Sequence, residues 1–229
     1  MNEIKLYDGF GSPNCSIHSV QFSPDSKYLA ACTEKGEILI QSVKSRDTVT
    51  TLPQKSKGEA FSCLNWRNST NNSKAENVVT VSSSEGRICS YQINTGKTVF
   101  ELKEDIGGDP QINNFDYGND STRMAVVGAH PSVRIYDVET QKLIANLDGK
   151  GGLIPGHTNR LFSVKFVPGQ NVLISSGWDQ RILWWDLRTD LPFDSVFGSQ
   201  VYGDGLDIKE GLLLACNFRE TKSIQLFHN

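Results

Sequence analysis

The chain has 229 residues and a net charge of −3, long enough for one sizeable core but without the cationic excess that neutralises a phosphate backbone, which disfavours direct nucleic-acid binding. Its five cysteines are odd in number and form no C-x-x-C pair, arguing against a disulfide framework or a zinc site and for a reducing compartment. No apolar leader stands at MNEIKLYDGF and no run of 18 apolar residues occurs, so no secretion signal or membrane-spanning helix is expected and the reading is cytoplasmic or nuclear.

In chain order, the first apolar segments are IHSVQF (17–22), YLAACT (28–33), EILIQSV (37–43) and DTVTTL (47–52). The same series recurs as FSCLNW (61–66), VVTVSS (78–83), RICSYQI (87–93) and KTVFEL (97–102), and then as INNFDY (112–117), RMAVVG (123–128), VRIYDV (133–138) and KLIANL (142–147). The fourth round is LFSVKF (161–166), VLISSG (172–177), RILWWDL (181–187) and PFDSVF (192–197). The fifth, YGDGLDI (202–208), LLLACN (212–217) and SIQLF (223–227), lacks a fourth segment. Polar turns rich in Gly, Asn, Asp and Thr separate the segments, and none shows helical periodicity. The unit is therefore four short strands. It repeats over approximately residues 11–52, 56–102, 107–147, 156–197 and 198–229, and the whole of 1–229 reads as a single domain.

Landmark positions Gln41, Tyr91, Tyr136, Trp185 and Phe227 recur at spacings of 50, 45, 49 and 42 residues. The fourth unit holds Gly156-His157, then Val164, Phe166 and Pro168, then Asp179, and closes on Trp185-Asp186. This pattern resembles the WD40 repeat family, whose units fold as four-stranded antiparallel blades of a β-propeller. The expected fold class is all-β, with about five blades. A blade covered on both faces should read as a continuous apolar run, and RILWWDL does, with Ile182 and Trp184 on one face and Leu183 and Trp185 on the other. In LFSVKF the core residues Leu161, Val164 and Phe166 are spaced three and then two, so a bulge at Phe162–Ser163 is expected.

His157, Ser175 and Asp179 have the residue types of a nucleophilic triad. The resemblance implies instead a buried structural network in which the Trp185 indole reaches Ser175, Ser175 reaches His157, and His157 reaches Asp179. No G-x-S-x-G elbow accompanies the serine, so no catalytic residues are assigned and the chain is not read as an enzyme. The other units lack these residue types, so they are expected to rest on apolar packing, with the fourth the most rigid. No cofactor or metal is expected. His18 and His130 have no second ligand at metal spacing.

Propellers of this family mostly bind macromolecules on the face around the central channel, using three positions per blade. In the fourth unit these are Arg160, Phe162 and Trp178. The fifth offers Tyr202, Asp204 and, across a gap, Glu220. The first offers Ser16, His18 and Glu34. Arg, Trp and Tyr are favoured contact residues, so Arg160, Phe162, Trp178, Tyr202 and Asp204, with His18, form the candidate partner-binding set. The competing reading packs Phe162 and Trp178 against adjacent loops. The resulting expectation is a non-catalytic scaffold for a protein or peptide partner, with membership of a larger complex left open. A propeller enzyme, or a subunit recognising a chromatin or RNA partner, is the alternative. Family members usually carry seven blades, which favours a shortened seven-bladed propeller over a five-bladed ring closed by EIKLY (3–7).

Overall fold

A computed structural model describes residues 15–52, 59–67, 77–218 and 223–228, and all nineteen elements in these residues are β-strands. Blade 1 comprises β1 (Ile17–Phe22), β2 (Tyr28–Thr33), β3 (Ile38–Ser42) and β4 (Thr48–Leu52). Blade 2 comprises β5 (Phe61–Trp66), β6 (Val78–Ser83), β7 (Arg87–Gln92) and β8 (Lys97–Lys103). Blade 3 comprises β9 (Ile112–Tyr117), β10 (Arg123–Gly128), β11 (Val133–Asp137) and β12 (Leu143–Leu147). Blade 4 comprises β13 (Leu161–Phe166), β14 (Val172–Gly177), β15 (Arg181–Asp186) and β16 (Leu191–Phe197). Blade 5 comprises β17 (Val201–Lys209), β18 (Leu212–Asn217) and β19 (Ile224–His228), with no fourth strand among the described residues. Every blade is an antiparallel meander in which each strand pairs with the next. The segment 3–7 and Glu220 lie outside the described residues.

The blades stack in chain order through their first strands: β1 on β5, β5 on β9, β9 on β13, and β13 on β17. No comparable packing joins β17 to β1 among the described residues. Each seam is an apolar core. Ala30, Ile38 and Ile40 meet Leu64, Val81 and Tyr91 between blades 1 and 2. Ile88 meets Phe115, Met124 and Val126 between blades 2 and 3. Leu183 and Trp185 face blade 3 across Val127, Val133 and Ile135. Ile182 and Trp184 face blade 5 across Val201, Leu206 and Leu213. The two tryptophans of RILWWDL thus serve opposite seams, as strand alternation requires.

The first strand is bulged in every blade. Pairing skips His18, Ser62, Asn113 and Phe162 in blades 1 to 4, and in β17 it slips over the longer stretch from Val201 to Leu206. A bulged residue leaves the pleat and turns its side chain toward its neighbours. His18 Nδ1 lies 2.6 Å from the Phe61 carbonyl of the next blade, and Asn113 Nδ2 donates to the Leu161 carbonyl at 2.7 Å. In blades 1 and 3 the bulge thus fastens one blade to the next, whereas the Ser62 hydroxyl bonds that of Ser82 within blade 2.

Blades 2 and 3 are not held by apolar packing alone, which corrects the expectation from their residue types. Arg134, buried in blade 3, donates from Nε and Nη2 to both oxygens of Glu104 (2.6 and 2.9 Å), and the Tyr136 hydroxyl donates to the same carboxylate at 2.7 Å. In blade 2 the Ser83 hydroxyl donates to the Glu59 carboxylate, and Thr80 joins Ser90 (2.7 Å) and Tyr117 (2.9 Å). Buried polar groups need such partners. The two carboxylates come from the segments entering blades 2 and 3, outside the four positions that define the network of blade 4.

Candidate interaction face

The rim of blade 4 is shaped by a glycine. A Cβ at Gly177 would stand 2.2 Å from the Arg160 carbonyl, so only glycine lets the end of β14 close on the chain entering β13. The next amide, Trp178 N–H, donates to that carbonyl at 3.1 Å and places the indole beside Arg160 and Phe162. The same bond recurs from Glu34 to Ser16, Ser84 to Ala60, Ala129 to Gln111 and Phe218 to Gln200. It fixes the equivalences between blades. In blade 5 the three rim positions are Gln200, Tyr202 and Phe218, not Tyr202, Asp204 and Glu220. The long bulge of β17 inserts residues that counting from the strand start does not reveal.

Four aromatic rings come together here. Phe162, Trp178 and Tyr202 lie with each pair of centroids 5.4 Å apart, and Phe218 sits 4.9 Å from Tyr202. These separations suit offset and tilted ring packing. The Arg160 guanidinium lies 5.1 Å over the Trp178 ring and 3.8 Å from Asp109. Tyr202 and Phe218 are exposed, whereas Phe162 and Trp178 are half-buried. The Trp178 indole N–H has no hydrogen-bond partner among the described residues. Arg160, Phe162, Trp178 and Tyr202 therefore converge, with Phe218 as a fifth member.

Two of the residues read from the sequence are elsewhere. His18 stands at the seam of blades 1 and 2, bonded to the Phe61 carbonyl. Asp204 turns away from the rings toward Lys165 Nζ (3.2 and 3.1 Å) and Ser163 Oγ (3.4 Å).

The second constellation is sealed. Trp185 Nε1 donates to Ser175 Oγ at 2.8 Å, His157 Nε2 lies 2.8 Å from the same oxygen, and His157 Nδ1 lies 2.7 Å from Asp179 Oδ2. Thr158 and Arg181 backbone N–H groups also donate to Asp179 (3.2 and 3.3 Å). Burial alone would raise the Asp179 pKa. The hydrogen bond and charge of His157, with the two amides, outweigh it and hold the carboxyl below its ordinary value. Ser175 and Trp185 are fully buried, and the serine oxygen is already occupied by the indole. An acyl substrate has no approach to that oxygen.

Two family models match the chain: one for the WD domain, G-beta repeat, over residues 150–186, and one for the anaphase-promoting complex subunit 4 WD40 domain, over residues 2–69. Among solved structures, a chain in the crystal structure of the mitotic checkpoint complex superposes with a TM-score of 0.77 at 18% identity, over 96% of this chain and 63% of that one. The chain belongs to the WD40 repeat β-propeller family. A curated relative, the U3 small nucleolar RNA-associated protein 21 homolog of Schizosaccharomyces pombe, is 29% identical over 119 residues. That match covers 52% of this WD40 chain and 12% of the relative's length.

Sequence reasoning missed one further polar feature of this WD40 propeller. Gln21, Asn65, Asp116 and Lys165 occupy the same register position on the first strands of blades 1 to 4. Asn65 Nδ2 donates to Asp116 Oδ1 (3.0 Å), and the Phe166 N–H donates to Asp116 Oδ2 (2.9 Å), so one carboxylate ties blades 2, 3 and 4. Burial pushes the Asp116 pKa up to about 6, against the pull of Lys165 and the Phe166 amide. The signal was present as a polar residue before the last apolar one in IHSVQF, FSCLNW, INNFDY and LFSVKF. Among the described residues no group of three or more His, Cys, Asp or Glu is placed to hold a metal. No helix among them is long and apolar enough to cross a membrane.

Proposed function

We propose that this chain is a non-catalytic interaction scaffold whose five blades act as one domain and which binds a protein or peptide partner at the rim of blades 4 and 5. The observation that carries the reading is the continuous aromatic cluster Phe162–Trp178–Tyr202–Phe218, flanked by Arg160. Aromatic rings with an arginine are the residue types that concentrate binding energy at interfaces. Three of the rings already pack on one another, so little side-chain freedom remains to be lost on binding. Phe218 extends the cluster outward with an exposed face. His157, Ser175, Asp179 and Trp185 act in this reading as the brace of blade 4, holding the strand end from which Trp178 projects.

The similar proteins bear the names of assemblies: anaphase-promoting complex subunit 4, the mitotic checkpoint complex, and a U3 small nucleolar RNA-associated protein. They support a role as one subunit of a larger intracellular complex, in the cytoplasm or nucleus. Affinity capture with the wild-type chain and with the Trp178→Ala, Arg160→Ala double variant tests the site. The expected outcome is loss of at least one reproducible partner from the variant, with unchanged circular dichroism and melting. An identical partner set from the two proteins rejects this rim.

A further inference from the structure

Blade seams in this molecule obey one register rule. The side of a blade that faces its successor presents two residues of the third strand: Ile38 and Ile40, Ile88 and Ser90, Val133 and Ile135, Ile182 and Trp184. All eight are at most 6% exposed. At the same positions of blade 5 stand Ile224 and Leu226, 67% and 61% exposed, beside the exposed Cys216. The side that faces the preceding blade presents two residues of the first strand: Leu64 and Trp66, Phe115 and Tyr117, Val164 and Phe166. These six are at most 6% exposed, and at the fourth seam the same positions of blade 5 hold buried Leu206 and half-buried Ile208. At the same positions of blade 1 stand Val20 and Phe22, 53% and 61% exposed, with Ile17 also exposed.

One molecule therefore carries both halves of a blade seam, and neither is filled among the described residues. The other exposed large apolar side chains, Tyr202 and Phe218 in the aromatic rim of blades 4 and 5 included, are not in seam register. These two groups are in seam register, and each keeps the β-branched, leucine and phenylalanine types that fill the four closed seams. The surface that matches the blade 5 side in register and composition is the blade 1 side of another molecule of the same kind. We infer that two copies of this chain associate head to tail, with blade 5 of one stacked on blade 1 of the next. Such a contact is heterologous: each molecule keeps one free half, so association continues until the arc closes or the supply of chains ends.

Sedimentation velocity over a wide range of concentration tests this. The wild-type chain should move from monomer to dimer and larger species as concentration rises. Leu226→Glu and Phe22→Glu, both at exposed positions, should each remain monomeric with unchanged circular dichroism. An equimolar mixture of the two should form a species of two chains and nothing larger, because only one intact pair of faces remains. Ile224→Glu and Val20→Glu repeat the experiment at neighbouring positions. A wild-type chain that stays monomeric overturns the inference and leaves the two faces for blades carried by a different polypeptide. Association that survives either substitution, or a mixture that grows beyond two chains, overturns the head-to-tail arrangement.

Discussion

Trp185 shows how one side chain is committed on every side. Its ring fills the seam between blades 3 and 4 with Val133, Ile135 and Leu161, and its N–H ends on Ser175, which also contacts His157. Truncation would open a large cavity and leave Ser175 and His157 with an unmatched hydrogen-bond arrangement. Trp185→Ala is expected to cost about 3–5 kcal/mol. Urea unfolding at neutral pH measures it, and a loss below about 1 kcal/mol, the scale of a surface substitution, would contradict the burial and bonding described. Trp178, seven residues earlier, is the contrast. It is half-buried, and its N–H is unpartnered among the described residues. Its neighbours are rings and a guanidinium rather than a hydrogen-bonded brace. The difference between the two tryptophans is one of satisfied and unsatisfied polar groups, which residue type alone does not disclose.

At the scale of elements, the first strands carry both the bulges and the shared polar position, and Asp116 links three of them. Its pKa is about 6 in the folded chain against an ordinary value of 3.8, so the native state binds the extra proton between these limits. Stability from this group is therefore fully present below about pH 4 and falls as pH rises through about 6. A full two-unit shift corresponds to roughly 3 kcal/mol, but Asp116 retains some solvent contact, which reduces the expected fall to about 1 kcal/mol. Asp116→Asn should flatten the stability profile between about pH 4 and pH 6.5, the window set by the two values. Equilibrium unfolding at several pH values reads the slope, and an unchanged slope would remove Asp116 as its source. Strand positions were legible in the sequence because each blade repeats short apolar runs between turn residues, and the Phe162 bulge was legible from the spacing of Leu161, Val164 and Phe166. The blade 5 rim was not, because β17 carries a longer bulge that shifts the count and hides Phe218 as the counterpart of Trp178. Nor was the Glu104–Arg134 pair, whose partners lie 30 residues apart, with Glu104 outside the strand positions that repeat. A local pattern reports which face a residue occupies, not which distant charge meets it there.

For the whole molecule, a row of blades that each touch only their neighbours behaves as a nearly one-dimensional array, in which stability is the sum of blade and seam contributions. Blades 2, 3 and 4 have seams on both sides, whereas blades 1 and 5 have one each among the described residues. Opening should then proceed from the two ends. Native-state hydrogen exchange is expected to show the strongest amide protection in β6, β10, β14 and β15, whose residues are almost all buried, and the weakest in β1 and β19, where exposed and half-buried residues predominate. The same experiment distinguishes fraying from association. In dilute solution β1 and β19 should exchange fast and independently of each other. With rising concentration their protection should increase together, since a head-to-tail contact covers one end of each of two molecules at once. Protection that is uniform along the chain would show that the blades open as one cooperative unit rather than from the ends. Protection that rises at only one of the two strands would mean that the faces of blades 1 and 5 do not meet.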